Sequence, residues 1–159
     1  MYWLRAILVV PILLASPLTL AEESCAGKDA PLRECSDPQV NQMKIRIVIG
    51  DTTLNATLEN NATARDFAAL LPLTLQLNDY SQTEKVSDLP RRLSTAEAPA
   101  GSDPAIGDIA YYAPWGNLAI FYRDFSYSRG LIRLGHIESE AETLRTAGPL
   151  TATTELSTD

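Results

Sequence analysis

The chain has 159 residues, 13 basic against 20 acidic side chains, and a formal net charge of −7. That balance argues against nucleic acid or an anionic membrane surface as a partner, because both are bound through basic surface. The length suits one ordinary domain and is too short for two.

Residues 1–21 are expected to be a cleaved export signal. Arg5 supplies the positive start, "AILVVPILLASPLTL" the apolar stretch, and the small residues Thr19 and Ala21 a cleavage site before Glu22. Pro11 and Pro17 interrupt the apolar run, which is short for a span of about 20 residues, so no stable membrane span is expected after cleavage. Residues 22–42 form an N-terminal arm holding Cys25 and Cys35, the only two cysteines. In an oxidising compartment they are expected to pair as a local disulfide. No third or fourth ligand accompanies them, so neither a metal nor a cofactor is expected. The localisation that follows is periplasmic or secreted.

From Met43 the period becomes two. In "MKIRIVIG" the residues Ile45, Ile47 and Ile49 share one face, and in "TTLNATL" Leu54, Ala56 and Leu58 do. Gly50 and Asp51 between them predict a hairpin. "NNATARDFAALLP" then places Phe67, Leu70 and Leu71 on one helical stripe, with Thr63 and Asp66 spaced as a capping box and Pro72 as a stop. Alternation returns at Leu73, Leu75 and Leu77. "YSQTEKVSDLPRRL" reads as polar and turn-rich, and the Pro- and Gly-containing segment that follows as an exposed loop. After Gly107 come strand-like "DIAYY", the turn "APWGN", strand-like "LAIFY" and the strand "LIRLGHI". Ser139 and Glu142 are spaced as a second capping box, with Gly148 as a helix stop. The domain is expected over 43–150, with 151–159 as a flexible tail.

Short strands at close spacing, without regular helical crossovers, exclude a parallel sheet. The expected fold is mainly β: an antiparallel barrel or rolled sheet with two short capping helices over its open ends. The ordered residues Phe67, Leu71-Pro72, Tyr80, Glu84-Lys85, Leu89-Pro90, Gly107-Asp108, Trp115-Gly116, Phe121-Tyr122 and Gly135 resemble the cyclophilin-like domain family of small bacterial proteins. The resemblance covers about Met43 to Leu150. It implies a barrel shared with the true cyclophilins and implies little about activity. True cyclophilins use an arginine in an "FHR"-like strand, and that motif is absent from this sequence. Arg123 follows an aromatic pair but does not correspond to it.

Seven of the eleven aromatic residues fall between Tyr111 and Tyr127. Leu118, Ile120 and Tyr122 share one strand face, Ala119 and Phe121 the other, and Tyr111 likewise opposes Tyr112. One barrel interior does not hold all of these rings, so part of the aromatic surface is expected to line a groove, where Tyr and Trp offer apolar area with a polar tip. The candidate ligand-binding residues are Tyr80, Glu84, Lys85, Tyr111, Trp115 and Tyr122. Lys85 with Tyr80 would anchor a carboxylate or amide. The lone His136 has no nucleophile motif beside it, and no catalytic residue is assigned. The reading is an exported domain that binds a peptide or small molecule without catalysis. The alternatives are a peptidyl-prolyl isomerase with a non-standard site and an accessory protein-interaction module.

Overall fold

The computed structural model describes residues 42–158. The expected export signal, the arm over 22–42 except its last residue and the Cys25–Cys35 pair therefore lie outside the described residues.

Ten strands form in chain order. They are β1 (Lys44–Ile49), β2 (Thr52–Leu58), β3 (Leu73–Tyr80), β4 (Glu84–Asp88), β5 (Gly101–Ser102), β6 (Asp108–Tyr112), β7 (Asn117–Phe121), β8 (Ser128–Arg129), β9 (Leu131–Ile137) and β10 (Leu150–Leu156). Eight close into an antiparallel barrel in the order β1-β10-β3-β4-β7-β6-β9-β2, and β5 and β8 pair as a small separate ribbon. The first hairpin forms as its alternation predicts. Ile45 lies opposite Ala56 and Ile47 opposite Leu54, all buried, with Gly50 in the turn at positive φ.

The core fills the barrel from the inward face of each strand. Ile109, Tyr111, Leu118, Ile120 and Tyr122 meet Ile45, Ile47, Leu54 and Leu134 there. The helix α1 (Ala62–Ala68) adds Ala64 and Phe67. Its N-cap is Asn61, whose side chain accepts the Ala64 N–H at 2.8 Å, and not the expected Thr63, which is buried inside the helix. Asp66 is turned to other work, binding both terminal nitrogens of Arg91.

Two expectations are corrected. The second capping helix is only a 3-10 turn, Ala141–Arg145. Its leading residue, Glu140, is left-handed at φ 63° and makes no side-chain cap bond, so the Ser139–Glu142 spacing does not nucleate an α-helix. The turn still buries Ala141 and Leu144. The expected tail at 151–159 is the strand that closes the barrel: β10 pairs with β1 on one side and β3 on the other. Its inward residues after Leu150 are Ala152 and Thr154, too small and too polar to give an apolar alternation. What holds the segment extended is two ladders of hydrogen bonds from neighbours far away in sequence.

The stretch containing Glu84 and Lys85 is also a strand. Ser81 and Gln82 both take positive φ, and Thr83 N–H donates to Tyr80 O at 3.0 Å. Tyr80 pairs with Glu84, so Ser81, Gln82 and Thr83 form a three-residue connection whose first two residues turn left-handed without the Asn-Gly pair that usually marks such a turn.

Candidate functional site

The outer face of β4, β7, β6 and β9 is not the polar surface an antiparallel barrel usually shows to water. A second buried cluster lies there: Ala110, Ala119, Phe121 and Leu131, with Val86 and Tyr112 packed against it. Register places these side chains together. Val86 pairs with Ala119, Ala119 with Ala110, and Tyr112 with both Asn117 and Leu131. Residues two apart on a strand share a face, so Glu84 joins Val86, and Asn117 joins Ala119 and Phe121.

A groove of about 220 Å³ opens on this face, with Tyr80, Glu84, Tyr112, Trp115, Asn117 and Phe125 among its lining residues. It is smaller than the roughly 300–1,000 Å³ of sites for drug-sized ligands, and so suits a small group or one side chain. Trp115 stands over it, 58% exposed. Its ring meets Tyr80 edge-on at 5.6 Å between centroids and Tyr112 edge-on at 5.3 Å. The turn that carries it is fixed from below. Gly116 N–H donates to Tyr112 O at 2.8 Å, Gly116 sits at φ 80°, and Arg92 donates to Ala113 O at 2.8 Å. The ribbon of β5 and β8 runs beside β9, with Ser102 Oγ donating to Leu131 O at 3.1 Å. A Cβ on Gly101 would collide with Ser128 O and the Tyr127 ring, which is why the close ribbon needs glycine there.

The six expected ligand-binding residues divide between the two faces. Tyr80, Glu84 and Trp115 line the groove. Lys85, Tyr111 and Tyr122 point the other way and are buried. The Lys85 ammonium is fully enclosed. It donates to Thr146 O at 2.7 Å and Gly148 O at 3.1 Å, and pairs with Asp79 Oδ2 at 3.2 Å. Tyr122 Oη donates to the same Asp79 oxygen at 2.7 Å, and Tyr111 Oη accepts Leu93 N–H at 3.2 Å. The expected ligand anchor at Lys85 is thus corrected to a tie between β4 and the chain entering β10, since a buried ammonium must be bonded where it sits. Glu84 and Lys85, adjacent in sequence, lie on opposite faces of one strand.

The electrostatics follow from this split. Hydrogen bonding from Tyr122 and then from Lys85 holds the Asp79 carboxyl below its ordinary range. Burial, with the bond to Asp79, pushes the Tyr122 phenol up to about 12. Among the described residues Glu84 has no such partner. Burial in the groove wall, helped by the Asp79 charge, pushes its carboxyl up to about 7. Asn117 is 5% exposed and its Oδ1 has no hydrogen-bond partner among the described residues. That is unusual for a buried polar atom. The reading from the residues did not single out Asn117, Tyr112 or Phe125, although the alternation in "NLAIF" already sets Asn117 beside Phe121.

His136 lies on β9, half-exposed, with Nδ1 2.9 Å from Asp108 Oδ1. Asp108 Oδ2 accepts Ala105 N–H at 3.0 Å, so this carboxylate braces the turn before β6. Among the described residues no group of three or more metal-ligating side chains is found. No helix there is long and apolar enough to cross a membrane.

The model of the cyclophilin-like family matches residues 47–155. The chain belongs to that family. None of the curated proteins matches it. Among solved structures it is similar to the solution structure of a hypothetical protein from Archaeoglobus fulgidus, at 18% identity and a TM-score of 0.58. The match covers 73% of this chain and 95% of that one, and at this identity it concerns the fold alone.

Proposed function

We propose that this member of the cyclophilin-like family is an exported binding domain that takes a peptide or small molecule in the outer groove, without catalysing a reaction on it. One observation carries the reading: a barrel face that should meet water is apolar, yet its aromatic cover leaves an open groove beneath Trp115. Tyr80 and Trp115 remain exposed at the rim, where a ligand would bury them. The isomerase alternative draws on the same aromatic groove on a cyclophilin-like barrel, but none of the described lining residues is an arginine.

The test is a titration of the isotope-labelled protein with a short X-Pro peptide and with a panel of small amines, acids and alcohols. Shifts clustered on Trp115, Tyr80 and Asn117, without cis–trans exchange peaks on the peptide, are expected. Exchange peaks would replace the binding reading with the isomerase. No shift with any probe would sink both. Export is tested by the N-terminus of the protein recovered outside the cytoplasm, expected at Glu22.

A further inference from the structure

The charge the groove can carry asks for a positive ligand. No lysine or arginine is among its described lining residues; the ionisable one of these able to become an anion at neutral pH is Glu84. The nearest basic side chain in sequence, Lys85, faces away and already holds three oxygen partners. Asn117 contributes a carboxamide whose enclosed Oδ1 accepts nothing from the described residues. The ring of Trp115, set at right angles to those of Tyr80 and Tyr112, presents the electron-rich surface that attracts cations.

We propose that the groove is an organic-cation site, in which a primary ammonium or guanidinium on an apolar stem lies against Trp115 and Tyr80 and is held by the Glu84 carboxylate and the Asn117 carboxamide oxygen. This deepens the proposed function and rests on the groove being the place where ligand binds. The apolar stem is accommodated by Val86, Ala119 and Phe121. A quaternary ammonium would satisfy the rings but leave both oxygens without a donor, so N–H-bearing cations are preferred. The chemistry is that of a lysine or arginine side chain of a peptide, or of a free alkylamine.

The site also carries its own pH dependence. With the empty groove, Glu84 is half protonated near pH 7. A cation binds the ionised form, so binding releases a proton and tightens as pH rises. The groups around Glu84 do not reverse this. Asp79 is already an anion held by Tyr122 and Lys85, and Tyr122 stays protonated up to about 12. Tyr80 and Tyr112 line the groove beside Glu84, and Arg123 acts on Tyr122 from the end of β7.

The experiment follows the Trp115 indole and Asn117 amide resonances of the labelled protein as butylammonium, butylguanidinium, pentanol or pentanoate is added at pH 6 and pH 8. The two cations are expected to bind in preference to the alcohol and acid, with about tenfold tighter binding at pH 8 than at pH 6. Glu84→Gln is expected to abolish that pH dependence and to lower affinity at pH 8 about tenfold. Asn117→Leu is expected to weaken the cations while sparing pentanol. Pentanol or pentanoate binding as well as the amines would overturn the cation assignment and leave the binding function standing. Silence from every probe, the X-Pro peptide included, would overturn both. A blocked lysine peptide bound more tightly than butylammonium would identify a peptide side chain as the source, and equal binding a free amine.

Discussion

Replacing Glu84 with glutamine should make the protein more stable at pH 8 and leave it unchanged at pH 4.5. In the folded state the carboxyl titrates at about 7 against an ordinary value of 4.5, chiefly because burial penalises the charged form. As pH rises through 4.5 the unfolded chain releases its proton while the folded one keeps it, so folding is progressively disfavoured until the folded group ionises too. The loss therefore accumulates between about pH 4.5 and 7 and is flat above. At about 1.4 kcal/mol per pK unit the shift corresponds to about 3 kcal/mol. Glu84 stands at an open groove, where solvent screens its charge, and a discount by about half leaves roughly 1–2 kcal/mol. Glutamine keeps the shape and stays neutral throughout. Urea unfolding of both proteins at half-unit steps from pH 4.5 to 8.5 isolates the effect. The difference in midpoint should grow from near zero to its plateau. A difference independent of pH would refute the argument that Glu84 is desolvated without a partner.

Lys85→Met should destabilise the fold by about 3 kcal/mol, measured by urea unfolding, because it leaves the Thr146 and Gly148 carbonyls and Asp79 without their donor. An unmoved midpoint would return Lys85 to the list of ligand anchors. Gly135→Ala should cost about 1–3 kcal/mol, since a Cβ there meets Thr57 O and the Leu58 backbone across the β2–β9 ladder. The comparable change at Gly50 meets nothing but is strained by its positive φ. Asp66→Asn should remove an acid-sensitive part of stability. The Arg91 and Ser94 bonds hold that carboxyl at about 2, so its contribution is present above the ordinary carboxylate range and is lost as pH falls from about 4 to 2. Acid titration of the circular dichroism signal checks this, the variant losing less stability than the parent across that window.

Several elements were legible in the residues because each depends on its own alternation. The period of two in "KIRIVI" and "TTLNATL" decides which side chains lie inward whatever the partner strand is. The same rule put Leu118, Ile120 and Tyr122 on one face of β7 with Phe121 on the other, and set Tyr111 against Tyr112 on β6, and the barrel keeps both divisions. Phe67 on a short helix stopped near Pro72 was legible for the same local reason. Tertiary structure decided the rest. β10 has no apolar stripe of its own after Leu150, and it is a strand only because β1 and β3 each offer an unpaired edge. β4 was hidden by its polar letters, since Glu84 belongs to a groove and Lys85 to the interior. No local pattern announces a buried lysine. Its partners, Thr146 and Gly148, lie 61 and 63 residues along the chain, and only the closed barrel brings their carbonyls to its ammonium. Alternation is a property of one strand and can be read from it. The inside of a barrel, the depth of a groove and the partner of a charge belong to strands brought together, and those were set by packing.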